Sequence, residues 1–153
     1  IIERFILEVN QTSIKNIAGF KKLIIKLTDI YIREYLTLIK LSIESTRIFS
    51  ECKREQIVQY NKVVNTLDDR LQSIILEKFN SFSRNDVYYI FEVQKHFLRG
   101  YYQDMILNAG YTITAEEDIT WERLSLYEFR VTRMLRFFLD GMIYEKDKNT
   151  LDK

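Results

Sequence analysis

Two stretches late in the chain decide the fold: DVYYIFEVQKHFLRGYYQDMIL, residues 86–107, and LYEFRVTRMLRFFLDGMI, residues 126–143. In the first, Val87, Ile90, Phe91, Leu98, Tyr101, Tyr102 and Met105 recur at helical spacing, with Gly100 among them. Around the second, Leu124, Tyr127, Val131, Leu135, Phe138 and Met142 step by three and four, which lays one apolar stripe along a helix. The spacing predicts helices over Asp86–Asn108 and Thr120–Tyr144. Joined by a short turn, they form a hairpin at 86–144 with more aromatic surface than one neighbouring layer covers. The expectation is a homodimer through this hairpin, with Phe91, Leu98, Gly100, Tyr102, Val131, Leu135 and Phe138 at the interface. Arg99 and Asp104 would be rim charges.

The local chemistry agrees with that hairpin. Ser83 followed by Asp86 resembles a capping box, a hydroxyl for an orphan amide and a carboxylate near the positive helix end. Asn108-Ala109-Gly110 is a stop signal, because glycine takes the left-handed conformation that closes a helix. Thr114 with Glu117 makes a second capping box, and Glu116, Glu117 and Asp118 suit a first helical turn.

Upstream, Phe20 to Phe49 reads as a long helix apolar on two sides, the mark of a central element. Its β-branched residues need tertiary packing to stay helical. Ile2, Phe5, Ile6 and Val9 outline a short helix before it. After a polar break at 50–53, Ile57, Tyr60, Val64, Leu67, Leu71, Ile74 and Ile75 continue the helical period toward Phe79 and Phe82, as one helix or as two meeting near Asn65. The segment from Glu145 onward is charged and expected to fray. The 153 residues hold no proline and four glycines, so the fold class is all-α, a single antiparallel bundle of five to six helices.

Composition bounds function more than it assigns it. Lys and Arg total 23 against 22 Asp and Glu, a balance that offers no field for a phosphate backbone. The one cysteine, Cys52, suits a reducing compartment, and a cytoplasmic location is expected. The greasiest run, Leu23–Ile43, is interrupted by Lys26, Asp29, Arg33, Glu34 and Lys40, so no membrane span is expected. A chain opening at Ile1, with Glu3, Arg4 and Glu8 close behind, carries no secretory signal and reads as part of a longer or trimmed product.

No catalytic residue, metal site or cofactor loop emerges, and the chain is expected not to be an enzyme. His96 has Glu92 one turn before it, too few ligands for a metal, and is read as a surface or interface histidine. Cys52 beside Lys53 and Arg54 could be a redox thiol, but a lone helical cysteine is ordinarily inert. Glu116–Asp118 point in different directions on one turn and complement the helix dipole instead of holding a cation. The aromatic content carries more: among ten tyrosines and ten phenylalanines, Tyr31, Tyr35, Tyr60, Phe79, Tyr88 and Phe91 are candidates to line a cavity for a flat apolar ligand. The competing reading is that they fill the core.

The order of elements, with the two stretches quoted above, RLQSIILEKFNSFSRND at 70–86 and FKKLIIKLTDIYIREYLTLI at 20–39, resembles the C-terminal regulatory domain of TetR-family transcriptional regulators over nearly the whole chain. The resemblance implies a homodimer built as a four-helix bundle of the last two helices, and a small apolar or aromatic ligand between the central ones. It also implies a connecting helix at 1–10 and control of DNA through a helix-turn-helix that is not in this chain. A second resemblance, of DITWERLSLYEF at 118–129 to the first Bcl-2 homology motif, departs from it where Glu122 replaces the motif's glycine. It implies a helical interaction module or adaptor with a groove for a partner's helix.

Overall fold

The computed structural model describes residues 1–107 and 121–151. Among them six helices and no strand are present, an all-α bundle: α1 (Ile2–Gln11), α2 (Ile17–Ile43), α3 (Ser45–Glu51), α4 (Arg54–Lys78), α5 (Arg84–Leu107) and α6 (Trp121–Leu151). None is long and apolar enough to cross a membrane.

Helix α2 is the hub because it is apolar on more than one face. Phe20, Leu23, Ile24, Leu27, Ile30, Ile32 and Ile39 are all buried, against α1, α5 and α6. Asn16 caps its start by accepting the Gly19 amide at 2.9 Å. The expected helix to Phe49 is divided in the structure. Ser42 Oγ donates to the Ile39 carbonyl at 2.7 Å and Ser45 Oγ to the Ser42 carbonyl at 2.8 Å. Hydroxyls that bond the backbone locally in this way compete with the helical ladder. The chain leaves α2 at Ile43 and re-enters helix as α3. Tyr35 also departs from helical geometry (φ −133°, ψ 28°) and kinks α2 two-thirds of the way along. The core falls into two clusters. The larger surrounds Phe20, where Phe79 and Phe82 both approach with ring centroids at 4.9 Å. The smaller comprises Ile32, Ile39, Leu98, Tyr102, Tyr127 and Val131.

Polar contacts set the register of the helices. Between α1 and α2, Glu8 pairs with Lys26, and Arg4 with Glu34 at 3.5 Å. Arg33 of α2 holds Glu128 of α6 at 2.7 Å, and Lys21 pairs with Asp140. Gln94 of α5 donates at 2.7 Å to the Thr28 hydroxyl, which itself donates to the Ile24 carbonyl, so both buried polar side chains are satisfied. Lys78, the last residue of α4, donates to the carbonyls of Val9, Asn10 and Thr12 at 2.7, 2.8 and 3.4 Å. An ammonium there complements the carbonyl end of α1, where Val9 O also accepts the Thr12 amide at 3.3 Å.

Helix α4 is a single helix through Asn65 and Thr66. The α5 cap forms as its residues imply: Ser83 N donates to Asp86 Oδ2 at 2.7 Å, and Asp86 N to Ser83 Oγ at 3.2 Å. Helix α6 runs on to Leu151, beyond the expected end at Tyr144. No proline or glycine follows Gly141 to stop it. The stop at 108–110, the Thr114–Glu117 cap and the acidic run 116–118 lie outside the described residues.

The expected interface needs correction. Phe91, Leu98, Tyr102, Val131 and Leu135 are buried within one chain, where the stripe of α5 meets those of α6 and α2. A dimer is built from surface that a single chain leaves open, and these side chains have none to give. Phe138 is only partly buried, and Gly100 is exposed. Gly100 is not a point of close approach within the chain, since a Cβ there would meet nothing within 4 Å.

Candidate functional site

A cavity of about 540 Å³ opens between α1, α2, α3, α4 and α5, within the size range of small-molecule sites. The helical period explains why α5 lines it: Tyr88, Phe91, Glu92, Lys95, Leu98 and Arg99 recur at three and four and share one face. Helix α2 supplies Tyr31, Leu38, Ile39, Leu41 and Ser42, the short α3 supplies Ile48 and Phe49, and α4 supplies Tyr60, Val64, Asp68, Leu71 and Gln72. The first turn of α1 closes one wall with Ile1, Ile2 and Phe5. Phe5 meets the Tyr31 ring edge-on at 6.1 Å, and Phe49 packs against Tyr60 at 5.6 Å.

Of the six aromatic candidates, Tyr31, Tyr60, Tyr88 and Phe91 line this cavity. Phe91 lies deep, whereas Tyr60 and Tyr88 are each 54% exposed and stand at the rim. Tyr35 and Phe79 do not belong to it. Tyr35 sits at the kink of α2, and Phe79 stacks on Phe20 in the larger core cluster. Both share helical spacing with cavity residues, but periodicity assigns a face, not the depth along it.

The polar members of the wall are the part that aromatic counting misses. Lys95 Nζ donates to Glu92 Oε1 at 3.0 Å and to Asp68 Oδ2 at 3.4 Å. Burial works against the ammonium, but the two carboxylates outweigh it and raise its pKa, so Lys95 stays charged. Burial likewise pushes the Tyr31 hydroxyl up, with the nearby Lys95 and Arg99 charges pulling the other way. Arg99 Nε donates to Ser42 Oγ at 3.1 Å. Among the described residues Arg99 has no carboxylate partner.

Two other groups singled out by the sequence stand away from the cavity. His96 is exposed on the outer side of α5, its Nδ1 donating to the Glu92 carbonyl at 2.7 Å. Cys52 is half-buried at the end of α3.

A second feature runs along the outside of α6. Leu126, Phe129, Phe137 and Tyr144 are 50%, 58%, 58% and 67% exposed and recur at helical spacing, opposite the buried stripe. Arg133 lies over the rings of Phe129 and Phe137, at 5.9 and 5.6 Å from their centroids. Tyr89 of α5 meets Phe138 edge-on at 5.6 Å and continues the apolar surface onto α5.

Comparison with protein-family models, with curated proteins and with solved structures finds no match to this chain.

Proposed function

We propose that this chain is the ligand-sensing and dimerising domain of a transcriptional regulator of the TetR kind, acting on DNA through a helix-turn-helix outside residues 1–153. The observation that carries the reading is the cavity whose wall includes Ile1, Ile2 and Phe5. A molecule bound there touches the first helix directly, and in the family that the helical order resembles this is the helix that leads to the DNA-binding part. The second copy pairs through the outer face of α6 and its α5 neighbour, not through the buried stripe. Leu126, Phe129 and Phe137 on α6, with the exposed Tyr89 on α5, offer the apolar side chains that such a contact buries.

Two measurements test this. Sedimentation of the purified chain should give a dimer that Phe129→Asp with Phe137→Asp converts to a folded monomer. Apolar and aromatic small molecules should raise the melting temperature of the wild type, and filling the cavity with Leu38→Trp should blunt that rise. A wild-type monomer that binds no small molecule would overturn the reading. Capture of an amphipathic helix by the α6 stripe would then favour an interaction module.

A further inference from the structure

We propose that the cavity takes an apolar molecule carrying one anionic head of the carboxylate class, and that Arg99 holds that head at the cavity mouth. This rests on the cavity being a ligand site at all, as argued above.

The charges in the wall are unequal in what they are free to do. Lys95 is engaged by Glu92 and Asp68 together, at 3.0 and 3.4 Å, so the two carboxylates found in the lining among the described residues already share a cation. Arg99 is different. Its Nε donates to Ser42 Oγ, and Ser42 in turn donates to the Ile39 carbonyl. That chain of two hydrogen bonds fixes the guanidinium through one nitrogen. The paired Nη groups make no hydrogen bond or ion pair among the described residues. A guanidinium held by Nε presents its other two nitrogens as a fork, and a carboxylate is the group whose geometry fits a fork with two parallel bonds.

The surroundings supply the rest of the recognition. Tyr31 lines the same cavity within the field of Arg99, and its hydroxyl has no hydrogen-bond partner among the described residues, which leaves a second donor for the head. Along α5 the lining runs from Tyr88 to Arg99, about 16 Å at 1.5 Å per residue. Beyond the charged groups the wall turns apolar at Ile2, Phe5, Leu71 and Phe91. Arg99 is exposed, so this end of the cavity is open to water and carries a cation with no carboxylate partner among the described residues. An amphiphile enters tail first and leaves its head at the mouth.

The test is calorimetric titration of the full chain with three probes of equal chain length: decanoate, decanol and decylamine. Decanoate should bind at least about tenfold more tightly than decanol, the range for a hydrogen bond to a charged group. Arg99→Gln should bring the two together, and Arg99→Glu should move the preference to decylamine. Arg99 is an exposed side chain whose hydrogen bonding among the described residues is to Ser42 alone, so both variants are expected to melt near the wild-type temperature. Ser42→Ala, which keeps the charge but frees Nε, should lose part of the preference. Decanol or decylamine binding the wild type as well as decanoate does would overturn the anionic head and leave the cavity reading standing. A decanoate preference that survives in Arg99→Gln would also overturn it, since another group would then hold the head. No binding by any of the three would overturn both.

Discussion

The Tyr127 hydroxyl of α6 donates a 2.9 Å hydrogen bond to the backbone carbonyl of Leu98, in the interior of α5. Both residues are buried, and the Tyr102 ring meets Tyr127 edge-on at 6.0 Å. The carbonyl of Leu98 thus serves its own helix and a neighbour, which fixes how far along each other α5 and α6 sit.

Tyr127→Phe keeps the ring and removes this bond. A loss of about 0.5–1.5 kcal/mol is expected in urea unfolding, the ordinary net worth of one hydrogen bond. The same residue governs behaviour in alkali. Burial pushes its ionisation far above the ordinary value of 10.0. An unfolded chain releases that proton near pH 10 and the folded chain does not, so stability is fully present below pH 10 and falls as pH rises above it. The fall should be shallower in Tyr127→Phe, with Tyr31 and Tyr102, both raised by burial, supplying what remains.

Glu8 provides the acid limb. The hydrogen bond from Lys26 lowers its pKa below the ordinary 4.5, against an opposing push from burial, and the Lys26 and Arg4 charges add to the lowering. Its contribution is present above pH 4.5 and disappears as pH falls through the lowered value. Glu8→Gln should cost about 1–2 kcal/mol at neutral pH, a figure discounted because Lys26 is exposed to solvent. The difference in urea midpoint between wild type and variant should shrink steadily as pH falls below 4.5.

Leu135 and Phe137 lie two residues apart on α6 and should answer an aspartate in opposite ways. Leu135 is fully buried, so Leu135→Asp strands a carboxylate in the core and should abolish the cooperative melt. Phe137 is 58% exposed, and Phe137→Asp should leave unfolding within about 0.5 kcal/mol of wild type while weakening self-association in sedimentation. Equal effects of the two on folding would contradict the placement of α6.

Lys78→Met should release the end of α1. Three carbonyls lose an ammonium, with an expected cost of about 1–2 kcal/mol. Amide exchange should quicken in the last turn of α1 while the amides around Phe20 keep their protection.

Much of the bundle can be read from spacing alone. The stripe through Val87, Ile90 and Leu98 and the one through Tyr127, Val131 and Leu135 do share faces, and Ser83 and Asp86 do cap a helix. What periodicity leaves open is which face meets which neighbour. Helix α6 carries two apolar stripes at the same period, and only packing on α2 and α5 determines that Leu135 goes in and Phe137 stays out. The break after Ile43 depends on where two serine hydroxyls turn. For the cavity, aromatic type points to six residues, of which Tyr31, Tyr60, Tyr88 and Phe91 line it and Tyr35 and Phe79 do not. The role of Arg99 depends on the position of Ser42, a contact across 57 residues that spacing does not show. The one available hint was that Arg99 lies four residues after Lys95, on the same helical face.

The kink at Tyr35 has a consequence for how the molecule breathes. It interrupts α2 between Phe20, at the centre of a large aromatic-rich cluster, and Ile39, in a smaller one with Leu98. The cavity is lined from both, by Phe5, Leu71 and Phe91 of the larger and Ile39 and Leu98 of the smaller, and beside it the exposed first half of α4 has little to hold it. Opening of that end then costs less than global unfolding. Amides of residues 36–64 should exchange sooner than those of residues 20–30, giving the domain a stiff floor and a compliant upper storey, where a guest can be admitted without melting the foundation.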